Sequence, residues 1–457
     1  MTSIAYAIDF GTTNSGIAAI TSNRSVEIVP HGEKAQTDST SEFVSPSNVY
    51  LSETGQQLSG WDALLTYLSG VRNRNEVGQY SSSLISGLKS DLGPYSDINY
   101  FSRWGYTYDL EELVAVVFRN LRKRAEDHFG DSPGAVKKLI LGHPVVFVGA
   151  RSVPNSIDPV LLHNAALATL ENAARRVGFT QIETCDEATA STLHNSTGHG
   201  NLISMDFGGG TFDIAAAKIN GSESEVYAVS GVGVGGDDID SGIFTQVIAP
   251  RLGLGDNEDG SPEIPDLPNR YRKITTFSDY LKIVRNLDAR PDISQIAERD
   301  GNERLYELID LLEGSRGINL YRSLGLAKAK LSETQAVAIK YNISGIESKI
   351  IINRDVLQNA FNAVQDDLRV TIEGILNEMK WTHQDVDTVI LTGGSSQLHC
   401  FQEMVEEMFP ESVLQQNDPF TSVLHGLGLY GLGKGRKYTC QNLRMSRKIR
   451  SFQRVPS

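Results

Sequence analysis

The sequence predicts an α/β protein of two lobes that share one plan, and three observations support this. Segments with the pattern of β-strands alternate with segments with the pattern of helices, as is typical of α/β lobes. The chain has 457 residues, which is too many for one ordinary hydrophobic core. The stretch DFGTTNSGIAA begins at Asp9, and DFGGGTFDIAA begins at Asp206 and matches it without a gap at D-F-G and at I-A-A. A turn repeated between strand patterns indicates duplication.

The first predicted element is a β-hairpin. Residues 4–20 place IAYAIDFG and SGIAAI on either side of a turn of small residues, which is the pattern of two strands joined tightly. The segment NLISMDFGGGTFDIAAAKI, from Asn201 to Ile219, repeats this design. We therefore expect one such hairpin in each lobe.

Two strand-to-helix units are expected to complete the lobes. VKKLILGHP ends at Pro144 and leads through a loop to the helix VLLHNAALATLENAARRVG, which Gly178 closes. VDTVILTGG leads to a helix that begins near Gln397, with Ser395 and Ser396 as expected caps.

Two regions of weaker pattern are expected to be insertions into the lobes. Residues 41–110 contain predicted helical segments broken by Gly and Ser, and residues 236–325 include the polar GLGDNEDGSPEIPDLPNR and at least one long helix. The predicted division is lobe I at 1–198, with its core at 1–40 and 111–198, and lobe II at 199–433, with its core at 199–235 and 326–433. A basic tail at 434–457 follows.

Composition favours a soluble, cytoplasmic protein. The contents of hydrophobic residues, 40%, and charged residues, 21%, are those of a globular chain. No apolar run reaches the roughly 18 residues that a membrane span needs, and the N-terminus lacks the pattern of a secretion signal. Cys185, Cys400 and Cys440 have no C-x-x-C or metal-ligand spacing, which argues against a disulfide framework and a zinc site.

The charge of the chain argues against binding to nucleic acid. The net charge is −14, although the tail at 434–457 holds eight Lys and Arg and no acid. The body is therefore more acidic than the whole chain, whereas sequence-independent binding to nucleic acid depends on positive charge.

The doubled turn suits a polyphosphate. A tight turn of Gly and Thr presents backbone N–H groups and hydroxyls to one point, and phosphate oxygens accept hydrogen bonds from such groups. The Asp at the start of each turn would repel phosphate unless a cation lay between them, which indicates Mg²⁺. We expect two such turns to face each other across a cleft and to hold one nucleotide.

Four motifs in order resemble the ATPase domain of the heat shock protein 70 family: AIDFGTTNS, MDFGGGTFD, VGGDDID and LTGGSS. The resemblance covers Ile4 to about Gly433 and implies an actin-like ATPase fold, with ribonuclease H-like duplicated lobes, each carrying a smaller subdomain. It also implies ATP or ADP and Mg²⁺ as cofactors, and a protein partner or co-chaperone. Only the basic tail follows Gly433 in this sequence, so we expect a match to short members that have the ATPase domain without a peptide-binding domain.

The resemblance also implies roles for residues in these motifs. Asp9 and Asp206 would hold Mg²⁺ through water, and Asp206 would share the catalytic role with Lys89 in LISGLKSDLG, Glu187 in CDEATAST, and Asp213. The residues implied to contact the β-phosphate are Gly11, Thr12, Thr13 and Asn14, and those implied to contact the γ-phosphate are Gly208, Gly209, Gly210 and Thr211. The loop residues Gly235 and Gly236 are also implied to contact the nucleotide. The adenosine is implied to contact Lys328, Ser332, Gly393, Gly394 and Ser395.

Three positions depart from the family's pattern. The family encloses the adenine between two arginines, where this chain has Ala329 and Gln397, and Gly325 replaces an acidic residue beside the ribose. Planar guanidinium groups contribute stacking, so their loss predicts weaker or less base-selective binding unless aromatic residues of the second insertion compensate.

The resemblance implies a slow ATPase in which lobe closure controls a protein partner. A nucleotide-sensing scaffold with little or no turnover is one alternative, and a small-molecule kinase of the same fold is another. No sequence feature places a kinase's catalytic Asp outside the Mg²⁺ site. Kinship with actin also leaves filament formation open, although like-charged protomers repel each other.

Overall fold

A computed structural model of the chain describes residues 2–31, 42–72, 82–93, 100–148, 158–194, 198–221, 223–257, 260–285, 290–312, 316–343 and 346–433. The predicted basic tail lies outside these residues. Among the helices of the described ranges, none is long and apolar enough to cross a membrane.

The first part of the chain builds one mixed sheet and a smaller insertion. Its elements in chain order are β1 (Ser3–Phe10), β2 (Asn14–Thr21), β3 (Val26–Ile28), β4 (Ser45–Pro46), β5 (Val49–Ser52), β6 (Gln57–Ser59), α1 (Gly60–Arg72), β7 (Ser82–Ile85), β8 (Phe101–Arg103), β9 (Tyr106–Tyr108), α2 (Leu110–Phe129), β10 (Lys138–His143), α3 (Pro159–Arg176), β11 (Gln181–Asp186) and α4 (Glu187–His194).

The second part builds another mixed sheet and a helical insertion. Its elements are β12 (Gly198–Phe207), β13 (Phe212–Gly221), β14 (Glu223–Val232), α5 (Gly236–Val247), α6 (Asn269–Arg272), α7 (Phe277–Arg285), α8 (Arg290–Asp300), α9 (Glu303–Leu312), α10 (Arg316–Lys330), β15 (Ala336–Ile343), β16 (Ile346–Asn353), α11 (Arg354–Met379), β17 (Thr388–Thr392), α12 (His399–Met408), β18 (Val413–Gln416) and α13 (Ser422–Gly431).

The two large sheets have the same plan. In the first the strand order is β3-β2-β1-β10-β11, and in the second it is β14-β13-β12-β17-β18. In each sheet the first three strands of this order are antiparallel, and the last two join them in parallel. The β1–β2 hairpin therefore corresponds to the β12–β13 hairpin, which confirms the predicted duplication.

The sheets are buried on both faces, and α4 lies between them. On β1, Tyr6 and Ile8 pack in a cluster with residues of α2 and α3, while Ala5 on the opposite face packs with α13. Helix α4 places Ala190 in this second cluster and Ala188 in a cluster with β12 and β13 of the other sheet. The small residues of α4 allow the helix to fit between the two sheets. This position of the helix sets the direction of Glu187, its first residue.

The insertions differ in detail from the prediction. The first contains a three-stranded antiparallel sheet, β6-β5-β7, where broken helical segments were expected, because its strands are too short to show a clear alternation. In the second, the expected long helix corresponds to α9 and α10, and residues 313–315 between them lie outside the described ranges. Helix α7 packs on β7, and side chains of both insertions, including Tyr67 and Leu281, share one hydrophobic cluster. The insertion of the first half of the chain therefore contacts the insertion of the second half.

Candidate functional site

The two Gly-rich turns face each other. One joins β1 to β2 and the other joins β12 to β13. A Cβ built on Gly209 would collide with Oγ1 of Thr13, and a Cβ built on Gly210 would collide with Oγ1 of Thr12. The threonines of the first turn thus lie against the glycines of the second, where any side chain would fill the space. The predicted meeting of the two turns is confirmed.

The second turn is held by backbone and hydroxyl contacts. Gly236 N donates to Gly208 O at 3.0 Å, and Asp237 N donates to Gly209 O at 2.8 Å. Ser395 Oγ also donates to Gly208 O, at 2.8 Å. These contacts occupy two carbonyl oxygens that would otherwise repel an anion, which suits the turn to phosphate.

Four carboxylates gather beside the turns. Asp9 lies near the end of β1 and Asp206 near the end of β12. Asp213 lies opposite Asp206 in the β12–β13 ladder, and Glu187 is the first residue of α4. The structure therefore brings together acidic residues that are far apart in the sequence. Asp9 and Asp213, the two most distant, are separated by 204 positions.

Lys89 supplies a cation to this group. It follows β7 in the first insertion, and its Nζ lies 2.7 Å from Oε1 of Glu187, with both side chains buried. Burial acts to lower the pKa of Lys89, but the carboxylates of Glu187 and Asp9 outweigh it and raise that pKa. Lys89 was predicted from local similarity alone, and the structure places it within the acidic group.

Negative charge exceeds positive charge here. Burial, followed by the charge of Glu187, raises the pKa of Asp9 to about 7 and that of Asp213 to about 8. The same two causes raise the pKa of Asp206 well above its ordinary value. A divalent cation would relieve this repulsion, so the residues fit Mg²⁺. Among the described side chains, no group of three or more His, Cys, Asp or Glu is arranged so that it could hold a metal ion directly.

Backbone amides orient Asp213 and also Asp186, which precedes Glu187. Oδ1 of Asp213 accepts from Val145 N at 2.7 Å, so the loop after β10 fixes this carboxylate. Asp186 accepts from Thr189 N at 2.7 Å and so supports the first turn of α4, where Glu187 begins. Sequence reasoning missed both supports. The contact of Asp186 could have been predicted, because an Asp three residues before Thr189 has the spacing of a helix N-cap.

The side assigned to adenosine is assembled from α5, α10 and the turn after β17. Nζ of Lys328 donates to Gly236 O at 2.9 Å and to Oδ2 of Asp240 at 2.8 Å. The hydroxyl of Ser332 is buried without a hydrogen-bond partner in the described part of the chain. Gly393 has a φ of 83°, which favours glycine, and its α-carbon lies close to Asp206 and Phe207.

The expected serine caps are wrong. Residues Gly394–Gln397 form a 3₁₀ turn, and α12 begins after it with Leu398 at the N-cap. Ser396 Oγ instead donates to Gly393 O at 2.7 Å, and Ser395 Oγ donates across to Gly208. Both hydroxyls therefore stabilise the turn beside the cleft and not the helix.

Comparisons with known proteins agree with the arrangement. The family model described as Hsp70 protein matches residues 5–251 and 309–431. The chain is 24% identical over 431 residues to the chaperone protein DnaK of Thermosipho africanus and 22% identical over 429 residues to that of Thermotoga maritima. Each alignment covers 92% of this chain and 58% of the relative, so the chain spans little more than half the length of these relatives.

Proposed function

The chain belongs to the Hsp70 family, and we propose that it binds Mg-ATP between its lobes and hydrolyses it slowly. Its duplicated sheets have the actin-like ATPase fold of that family. The observation that carries the proposal is the approach of the two turns, with Thr12 and Thr13 against Gly209 and Gly210. One turn from each lobe then contacts the phosphates, so that binding a nucleotide brings the lobes together.

The acidic residues and Lys89 divide the work at the terminal phosphate. Asp9 and Asp206 would hold Mg²⁺ through its waters, and a bound ion would neutralise phosphate charge. Val145 N fixes the carboxylate of Asp213. Asp213 and Glu187 each accept a hydrogen bond from the attacking water and so orient it. Water oxygen bonds to the γ-phosphorus as the bond to the bridging oxygen breaks. ADP leaves with that electron pair, one proton of the water stays on the phosphate product, and the other passes to solvent.

Turnover is expected to be slow because the charge of Lys89 is shared. Its ammonium group lies 2.7 Å from Glu187 and close to further carboxylates. A cation so paired contributes less to the negative charge that develops on the γ-phosphoryl oxygens.

Closure of the lobes supplies a means of controlling a protein partner. Nζ of Lys282 on α7 lies 3.0 Å from Oδ1 of Asp91 in the first insertion, and Ser278 Oγ donates to Ser86 O at 3.2 Å. On the other side of the cleft, α4 packs on α13 between the two sheets. We expect nucleotide to stabilise this closed arrangement and its loss to open the insertions first, which changes the surface offered to the partner.

Calorimetric titration of nucleotide-free protein with Mg-ATP and Mg-ADP tests the proposal. Asp206→Asn and Gly209→Val should each weaken binding at least tenfold, since the first removes a metal contact and the second fills the phosphate space. Asp300→Asn and Gly374→Val, at an exposed acid and an open helix position, are the matched controls. Phosphate release in a single turnover then measures hydrolysis. Absence of binding by the wild-type protein would overturn the proposal, and binding without release would overturn its hydrolytic part.

A further inference from the structure

The loop between β18 and α13 holds one aromatic residue beside the cleft. Oδ1 of Asp418 accepts from Phe420 N at 3.0 Å, and from Thr421 N and Thr421 Oγ1, both at 2.8 Å. Ser422 Oγ donates to Asp418 O at 2.6 Å. A single aspartate thus fixes the backbone on both sides of Phe420, so the direction of this side chain is set.

The ring of Phe420 lies against the turn assigned to adenosine. Its Cε1 is 3.6 Å, and its Cζ 3.9 Å, from the position that a Cβ on Gly394 would occupy. These are ordinary van der Waals distances, and Gly394 is exposed while Phe420 is half-buried. The ring therefore borders the backbone of the turn at a solvent-exposed place.

Phe420 lies outside the main hydrophobic clusters of the described chain. Four clusters hold most of the buried apolar residues, and partly buried rings such as Phe129, Phe277 and Tyr430 pack on them, whereas Phe420 belongs to none of these groups. A planar ligand that covered the exposed part of this ring would remove apolar surface from water, which favours binding.

We propose that Phe420 is the residue on which the nucleotide base stacks, an inference that rests on the proposed function. Ala329 and Gln397 are exposed, and neither carries an aromatic ring or a guanidinium group on which a base could stack. An aromatic ring on the Gly394 side supplies one from a different part of the chain. Stacking on a π-face tolerates any base, so Phe420 supports binding of adenine and guanine nucleotides alike.

The test compares nucleotides with a ligand that has no base. Wild type, Phe420→Ala, Phe420→Leu and Phe420→Tyr are titrated calorimetrically with Mg-ATP, Mg-GTP and Mg-tripolyphosphate, with Phe129→Ala as the control for truncating a half-buried Phe. Phe420→Ala and Phe420→Leu should weaken ATP and GTP binding by roughly 5- to 100-fold and leave tripolyphosphate binding unchanged. Phe420→Tyr should bind like the wild type.

A fluorescence measurement on Phe420→Trp adds a direct signal. Its tryptophan emission, after subtraction of the wild-type signal, should change on addition of Mg-ATP but not of Mg-tripolyphosphate. Unchanged ATP binding in Phe420→Ala would overturn the inference and leave the proposed function standing. Equal loss of nucleotide and tripolyphosphate would also overturn it, since that indicates a structural role. Failure of the wild-type protein to bind any of the three ligands would overturn both.

Discussion

Lys89 and Glu187 form a buried ion pair that joins the first insertion to the helix between the sheets. Their Nζ and Oε1 atoms are 2.7 Å apart, and the side chains are 4% and 8% exposed. Removing one partner of such a buried pair is costly, because the remaining charge cannot be solvated by water.

Lys89→Met should therefore destabilise the protein by about 3 to 5 kcal/mol, since it leaves Glu187 unpaired among other carboxylates. The free energy of unfolding in urea measures this. Lys89→Met/Glu187→Gln should recover most of the loss, because the carboxylate bonded directly to Lys89 is then removed together with its partner. A double variant no more stable than the single one would contradict this account.

Gly426 lies where the backbone of α13 closely approaches that of α4. A Cβ built there would overlap the carbonyl of Ala190, so even Gly426→Ala forces the helices apart. We expect a loss of about 1 to 3 kcal/mol, read from thermal unfolding. Gly374→Ala, whose new methyl group meets no atom within 4 Å, should be neutral or stabilising. Equal melting temperatures for Gly426→Ala and wild type would show that the helices separate without cost.

The rings of His194 and His425 stack at the other end of α4, with centroids 4.5 Å apart. Burial, and then the neighbouring His425, lowers the pKa of His194 to about 4, and burial lowers the pKa of His425, while Asp418 opposes both shifts. The unfolded chain binds protons at these rings below about pH 6.5 and the folded chain does not. This pair's contribution to stability is therefore present above about pH 6.5 and falls as the pH is lowered toward 4.

Thermal unfolding at pH 7.5 and pH 5 tests this sign. His194→Phe/His425→Phe keeps the stacking and removes the titration, so it should lose less stability than wild type between these pH values. The wild type is compared with the double variant because both contain buried carboxylates with raised pKa, such as Asp213. These carboxylates make the folded state more stable as the pH falls, which opposes the effect of the histidines equally in both proteins. A wild-type loss no larger than that of the variant would contradict the assignment.

The contact between Lys282 and Asp91 should slow release of nucleotide. Both side chains are partly exposed, so the pair contributes at most about 1 kcal/mol. Lys282→Glu is expected to speed release of a fluorescent nucleotide by about two- to fivefold in stopped flow. The charge swap Lys282→Asp/Asp91→Lys should restore the slower rate, and the effect should shrink in high salt. An unchanged rate in Lys282→Glu would show that the contact does not restrain opening.

Local pattern predicted the two hairpins because each turn has its own signature between strand patterns, and the approach of the turns followed from the duplication. The position of Phe420 could not be predicted, since it lies beside Gly394 only through the fold and has no sequence signal of its own. The sheet of the first insertion was missed because VYLS and QLS are too short for a period. Where residues far apart in the chain meet, tertiary contact and not local preference decided the outcome.

The helix that covers the first sheet comes from the far end of the described chain. Val423, Leu424 and Leu427 of α13 cover the face that includes Ala5 and Ala7. During synthesis, at about 5 to 20 residues per second, this alanine-rich face stays uncovered for tens of seconds after the N-terminal strands have been made. Contacts of such separation also form slowly in refolding. The lobe that is translated first is therefore completed last, and a ribosome-bound chain exposes apolar surface through most of its synthesis.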